Sequence, residues 1–429
     1  MLALLRRRDF ALLWLGGLVS VTGDWVLRAA LPYFVYEQTG STVATAGMIA
    51  AALAPGIVLG SVAGVFVDRW NRKRVLVAGN LLQAGTVALL LLVPHEGWLW
   101  VVFAVAAAQS LIASFASPAE SALLPTLVND AQLVAANALN VVNNRIGRLL
   151  GLPLGATLLA TVGLELVVVV DALSFVLAAL LVSPIAAPPA ARMLRAAEGA
   201  VSSAAGSAWA AFWGEWLDGL RLVGRERVLA VVFAVLGLMT FGGTMLDPLT
   251  VAWVRDVLGE GPQVYALLLT AHAASGIAGA VLVSRIDVRL APRLLVGWSS
   301  IAAGVALAVR YNVPSVPLAL GLSLFVGLTS VASAVGVETL VQRAVRDDYR
   351  GRVFGALGAT GSLLSLLGAL TAGVLAEVVG LVTMLNVASA LIALAGIVVL
   401  RAFAPSAAAA ASAEQALARP TLPSRTARS

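Results

Sequence analysis

Cysteine is absent from the 429 residues, lysine occurs once, as Lys73, and histidine twice, as His95 and His272. The missing thiol excludes a disulfide framework, an iron–sulfur cluster, a thiolate metal site and a cysteine nucleophile. Two histidines do not make a multi-histidine metal site. The single lysine follows Arg72, so there is no Gly-Lys-Ser/Thr phosphate loop and no recognisable ATPase. Gly-x-Ser-x-Gly, His-Glu-x-x-His and dinucleotide loops are missing as well. The chain therefore reads as a non-enzyme with no catalytic residues, no metal site and no cofactor. Charge is scarce too: 12% of residues are charged against 60% hydrophobic, about half the charged fraction of a soluble domain. A mean hydropathy of +0.96 is too high to be hidden in soluble cores, so apolar surface must face lipid.

What is present is a series of apolar runs of about 20 residues, the length that crosses a hydrocarbon layer about 30 Å thick. Twelve occur, at 10–36, 43–67, 75–93, 98–121, 134–161, 164–183, 228–254, 262–285, 293–311, 315–340, 352–377 and 381–402. Continuous runs such as Val75–Val93 exclude the alternating strands of a membrane barrel. The expectation is an all-α membrane protein of twelve transmembrane helices in two pseudo-symmetric six-helix bundles. Residues 1–183 form the first bundle and 228–402 the second. Between them, 184–227 is a linker that opens with Pro184, Pro188 and Pro189 and ends in an amphipathic helix. Trp213, Trp216, Leu217, Leu220 and Val223 would line the face of that helix lying on the bilayer. The Ala/Ser/Pro-rich tail, 403–429, is expected to be disordered.

The net charge of +6 is an orientation signal. With the N-terminus inside, 23 of the 28 basic residues fall on that side, three (Arg28, Arg145, Arg148) lie within helices, and Arg255 and Arg310 remain opposite. This bias predicts both termini in the cytoplasm of a cell with a multi-pass inner, or cytoplasmic, membrane. Because the basic residues are spread over loops and form no solvated basic face, nucleic acid is excluded as a partner.

The halves also repeat. At an offset of 218 Glu120 matches Glu338, and nearby offsets pair Asp68 with Asp287, Gly151 with Gly368, and Asp171-x-x-Ser174 with Asn386-x-x-Ser389. Two similar halves related about the membrane normal place a cavity between them, which a solute carrier requires.

Between spans two and three runs Gly64-Val-Phe-Val-Asp68-Arg69-Trp-Asn71-Arg72-Lys73-Arg74. It resembles the loop signature of the major facilitator superfamily, with Asn71 where a glycine is usual. Asn tolerates the left-handed conformation better than most residues, which keeps a tight turn available. A wider resemblance rests on Gly23-Asp24-Trp25, Tyr36-Glu-Gln-Thr39-Gly40-Ser41, Ala136-Asn137-Ala138, Asp171-Ala-Leu-Ser-Phe175 and Arg350-Gly-Arg-Val353. These are similar to the exporter branch that holds the enterobactin exporter and macrolide-efflux proteins. The chain departs from that branch at Gly151-Leu152-Pro153-Leu154-Gly155-Ala156, where the proline is shifted and the last glycine replaced. The resemblance implies small-molecule export, and a gate in which Asp68 engages the start of span eleven near Arg350 and Arg352. Such a gate would hold the cytoplasmic side closed and favour an outward-open state. Glu120 and Glu338 are expected to join the gate.

Ionisable groups inside a membrane are costly and mark function by default. Asp24 and Arg28, one turn apart on span one, predict an internal ion pair that either neutralises both charges structurally or exchanges a proton or substrate for the partner. Arg145 and Arg148, three apart on span five, either accept an anionic substrate group or compensate Asp24 and Asp171. For Asp171 the reading is a hydrogen bond to a neighbouring helix. Asp247 precedes Pro248, which should bend span seven; the carboxylate there either binds substrate or coupling ion or caps freed amides. His272 suits a proton carrier by its ordinary pKa, or else bonds to an adjacent helix. The expected function is a secondary active, proton-coupled exporter (antiporter) of a small molecule such as a drug or siderophore. It would work as a monomer by alternating access in contact with membrane lipids, with the proton gradient as energy source. The alternatives are a lipid or lysophospholipid translocator of the same fold and a non-exporting uptake carrier.

Overall fold

The computed structural model describes residues 2–67, 70–93, 98–186, 214, 216–217, 221, 223–224, 226–285, 292–344 and 350–403, with backbone alone at 2–3, 60–62, 64–65, 284–285, 343–344, 350–352 and 354. Twelve long helices run through them. The first six are α1 (Arg8–Thr39), α2 (Thr42–Val67), α3 (Arg72–Ala88, continued by a 3-10 turn Leu89–Leu92), α4 (Trp100–Leu127), α5 (Leu133–Thr161) and α6 (Leu164–Val182). The second six are α7 (Arg227–Ala252), α8 (Pro262–Arg285), α9 (Pro292–Asn312), α10 (Val316–Ala344), α11 (Arg350–Val379) and α12 (Leu381–Ala402).

Each matches an apolar run in the sequence to within a few residues. Eleven are long and apolar enough to cross a membrane. The twelfth, α5, carries Asn137, Asn140, Asn143, Asn144, Arg145 and Arg148, polar groups that face protein instead of lipid where their partners are described. Asn143, for example, is buried and donates to the Trp14 carbonyl at 2.7 Å.

The packing repeats with the sequence. In the first half α1 packs on α5 and α6, α2 on α4, and α3 on α4 and α6; in the second, α7 packs on α11 and α12, α8 on α10, and α9 on α10 and α12. Each of these five contacts has its counterpart six helices later. Four glycines with positive φ close turns on the face opposite the termini: Gly40 (60°) and Gly163 (103°) in the first half, Gly259 (69°) and Gly380 (96°) in the second. The pairs are separated by 259 − 40 = 219 and 380 − 163 = 217 residues, on either side of the repeat offset of 218. The two halves meet through α2 against α11 and α5 against α8, which are the same contact related by that repeat.

Two expectations are corrected here. Asn71 does not adopt the left-handed conformation; at φ −70°, ψ 106° it is the N-cap of α3, and its side chain accepts from the Arg74 amide at 3.1 Å. An asparagine serves there because capping needs a side-chain oxygen, which glycine lacks. Pro248 does not break α7: the helix continues to Ala252 and widens into a π-turn at Trp253–Val257 only one turn later. The tail after Phe403, nearly all of the linker, Asp68 and Arg69 lie outside the described residues.

Helix α1 approaches α5 closely along Gly147, Gly151 and Gly155. A Cβ at Gly151 would stand 2.5 Å from the Cβ of Trp25, and one at Gly155 would collide with the Val26 carbonyl oxygen. Lipid offers no hydrophobic drive between helices, so small residues that let backbones approach are what hold them. Gly155→Val is therefore expected to push α1 from α5 at a cost on the order of 1–3 kcal/mol and to lower the melting temperature of the purified protein. Gly85→Val is the control, since a Cβ at Gly85 meets nothing within 4 Å; equal melting temperatures for the two variants would refute the contact.

Candidate functional site

Apolar packing shows where the halves join. Toward the face opposite the termini one core contains residues of both halves, from Val26, Leu31 and Tyr36 to Leu249, Trp253, Tyr311 and Leu385. Toward the termini there are two separate cores. Phe10, Leu76, Leu123 and Ile185 belong to the first half's, and Leu229, Val296, Val341 and Val399 to the second's.

Hydrogen bonds agree. Among the described residues, those that join α1–α6 to α7–α12 all lie at the end of α1, the start of α2 and the facing ends of α7, α8 and α11. Tyr36 donates its hydroxyl to Asp256. Tyr33 donates to the Glu260 carbonyl at 3.0 Å. Arg255 donates to the Tyr36 and Glu37 carbonyls at 3.0 and 3.3 Å while its guanidinium lies over the Tyr36 ring. Ser41 donates to Glu377 at 2.7 Å, and Thr42 to the Gly373 carbonyl at 2.8 Å. A Cβ at Gly373 would stand 2.8 Å from the Thr42 carbonyl oxygen, so α2 and α11 touch backbone to backbone.

The expected gate lies at the other face and is not assembled among the described residues. Arg72 donates to the Ala122 carbonyl at 2.9 Å, and Arg7 to the Leu127 carbonyl at 3.3 Å and Gln132 at 3.0 Å. Both cations thus serve the carbonyl end of α4, where the helix dipole is negative, inside one half. Glu120 hydrogen-bonds Asn140 of α5, again within the first half. Glu338 is exposed and accepts from Gln342 of its own helix at 3.4 Å. Lys73 and Arg74 sit in the first turn of α3, and the side chains of Arg350 and Arg352 fall outside those described. Of the sealing residues, sequence reasoning noted Arg255 only as an outlier in the charge bias and Tyr36 and Ser41 only within a motif, and missed Asp256 and Glu377. Tyr36 and Asp256 lie 220 residues apart, each beside a helix end.

The intramembrane charges do converge. Among the described residues no carboxylate comes within 4.0 Å of Arg28, so the expected Asp24–Arg28 ion pair does not close. The guanidinium of Arg28 instead stands over Trp25, 5.2 Å from the ring centroid, and Arg148 of α5 stands over the same ring at 5.0 Å. The indole lies between positions 24 and 28 on α1 and offers both cations a π-face. Trp25 is thus a functional candidate that was noticed only as part of a motif.

Asp171 is fully buried on α6, where its Oδ1 accepts from Ser174 at 3.4 Å and its Oδ2 has no partner. It bonds within its own helix and not to a neighbouring one, because Gly23 of α1 packs directly against it: a Cβ there would be 2.5 Å from Oδ1. Asp24 is its electrostatic neighbour. Arg148 feels Arg145, Asp247 and Arg28, and so is balanced by the carboxylate of the second half and not by Asp24 or Asp171.

Asp247, Arg148 and His272 line one cavity of about 290 Å³ in the second half, with Thr250, Tyr311 and Arg310. Arg310, which the charge bias counts on the outer side, is 93% buried in the last turn of α9. That leaves Arg255 as the cation at this face. No described residue bonds the His272 imidazole, so the bond to an adjacent helix is not formed there.

An α-helical bundle of repeated halves, sealed at one face and lined by charge at mid-membrane, defines a transporter of the major facilitator fold. Residues 1–427 match the family described as transmembrane secretion effector, and the chain belongs to that family of multi-pass membrane transporters. It is 24% identical to macrolide efflux protein A of Streptococcus pyogenes over 358 residues, 81% of this chain and 84% of that one. It is 25% identical to the multidrug efflux pump Tap of Mycobacterium tuberculosis over 353 residues, 79% and 80% of the two chains. Among solved structures it is similar to a bacterial homologue of the iron transporter ferroportin in an inward-facing state, at a TM-score of 0.71 and 18% identity, covering 93% of this chain and 99% of that one. It is also similar to the nucleoside transporter NupG, at a TM-score of 0.73 and 13% identity, covering 93% and 100%. These structures bear on the fold alone.

The seal can be tested directly because the chain has no cysteine of its own. A reporter cysteine at Gly243, which lines the cavity with open space at its Cβ, should label slowly with an impermeant maleimide added at the face opposite the termini. Losing one inter-half hydrogen bond removes about 1 kcal/mol, so Tyr36→Phe or Glu377→Ala should speed labelling about fivefold. Unchanged labelling in both variants would mean that these contacts do not hold the seal.

Proposed function

We propose that the protein is a secondary active exporter, a proton-coupled antiporter of a small organic molecule, that works by alternating access. The observation that carries this reading is the asymmetry of the join: one shared core and a set of hydrogen bonds at the face opposite the termini, and separate cores at the other. Two repeated halves that pack this way can rock about the cavity between them, exchanging one seal for another. In this reading the termini are cytoplasmic, as the arginine bias predicts, and the structure corresponds to a cavity reached from inside the cell. The gate of Asp68, Arg69, Arg72 and the start of α11 then forms only in the opposite state. The efflux relatives support the outward direction, with a drug-like molecule as cargo.

The proton is assigned to Asp24. It lies near mid-membrane on α1, between the buried Asp171 and a tryptophan that holds two guanidinium groups. A proton arriving from outside cancels one of the two adjacent negative charges and changes what Arg28 and Arg148 can pair with, which biases the rocking of the halves. Residues 1–183 and 228–402 are the two moving bodies, with 184–227 as the tether. In proteoliposomes with an imposed pH gradient, ethidium movement should be accompanied by proton flux, and Asp24→Asn should abolish the flux. Flux that persists in Asp24→Asn with transport intact would sink the assignment.

A further inference from the structure

Among the described residues no carboxylate comes within 4.0 Å of Arg310, which is buried in the last turn of α9. Its guanidinium donates to Ser323 at 3.1 Å and lies over Tyr311 and Trp253, 4.7 and 5.6 Å from their ring centroids. Its Nε has no hydrogen-bond partner although it is buried. Neutral hydroxyl and π partners compensate a buried charge only in part, and an unpaired charge at low dielectric is costly. The same side chain lines the cavity of about 290 Å³ that opens beside it.

Arg148 reaches that cavity from the other half, and its Nε is also buried without a partner. The carboxylate present, Asp247, is an electrostatic neighbour of Arg148, so one positive charge is left over on the wall. Close to Arg310 the wall carries hydroxyls: Thr250 and Tyr311 are hydrogen-bonded to each other at 3.0 Å. The rest of the wall pairs an aliphatic patch, Leu268, Leu307, Val326 and Ile392, with further hydroxyls such as Ser299, Ser330 and Ser333.

We infer that this cavity binds an organic anion, with its carboxylate or similar acidic group on Arg310 and its apolar body against the aliphatic wall. A planar guanidinium with a free edge matches a carboxylate in geometry and charge. Arg148, from α5, lies within reach of the same ligand, so an anion bound here touches both halves and can couple their movement. The inference rests on the carrier reading above and adds amphipathic anions to its cargo.

The test is calorimetric binding to the purified full chain in detergent, with three probes that share one aromatic body: 1-naphthylacetate, 1-naphthylacetamide and 1-naphthylmethylammonium. The acetate should bind at least tenfold more tightly than the amide, and the ammonium more weakly than either. Arg310→Gln should erase the preference for the acetate and Arg310→Lys should keep part of it, while Arg401→Gln, at the exposed end of α12, should leave it intact. Melting temperatures without probe verify that each variant is folded; if Arg310→Gln is unfolded, Arg310→Lys and Ser323→Ala should each reduce the preference. No measurable binding of the acetate, equal binding of the three probes, or a preference that survives in folded Arg310→Gln would overturn the inference.

The two readings fail separately. Arg310-dependent binding of the acetate with no proton-linked movement of any probe would leave the site and remove the antiporter. Proton-linked movement of ethidium, unaffected by Arg310→Gln, together with no acetate binding, would do the reverse.

Discussion

Helix α1 lies against α5 so closely that no side chain fits between them at Gly147, Gly151 and Gly155, and much of the interior follows from that contact. In lipid such an approach is stabilised by dispersion along the backbones, since apolar side chains gain nothing by leaving hydrocarbon. It sets Trp25 of α1 over against Arg148 of α5 and brings two guanidinium groups to one indole. On its other side α1 meets α6 at Gly23, where Asp171 and Ser174 fill the place a side chain would take. Asp24, Trp25, Arg28, Arg148 and Asp171 are therefore gathered by small residues, which create the room, and not by mutual attraction.

The second half uses the same helix pairing around different chemistry. Where the first half collects Asp24, Arg28 and Asp171, the second holds Asp247, His272 and the buried Arg310 around a cavity. The repeat thus conserves the frame while the polar content diverges. One half carries most of the titratable acid, and the other carries the open pocket with an uncompensated cation.

The polar contacts at the sealed face are few and mostly single hydrogen bonds between a side chain and a partner on the other half. Each is worth about 1 kcal/mol, small enough that a bound cargo can offset it. The shared apolar core beneath them is larger, yet part of what it buries could be buried again against lipid or across the opposite face. A join built of many weak terms suits a structure that must open, whereas one strong buried ion pair would hold a single state.

Almost all of the helical architecture was legible in the sequence. Hydrocarbon thickness sets the length of every apolar run, and a chain in lipid must satisfy its backbone internally, so twelve runs could become little other than twelve helices. The repeat offset of 218, the glycines of the turns and the charged positions inside spans were also there to be read. Residue type and periodicity could not say which partners those charges take. Arg28 meets an indole and not Asp24, Asp171 bonds its own helix, Arg310 is buried against Trp253 and Tyr311, and Asn71 caps α3 instead of turning left-handed. Each of these depends on a neighbour that is distant in the chain or on local backbone geometry, set by how closely helices approach and by which face of the bundle is shut. The sequence by itself determined the membrane class, the number of spans and the list of costly charges, because the bilayer imposes those one residue at a time. The tertiary structure alone decided which charges share a cavity and which face is sealed, because both are properties of pairs.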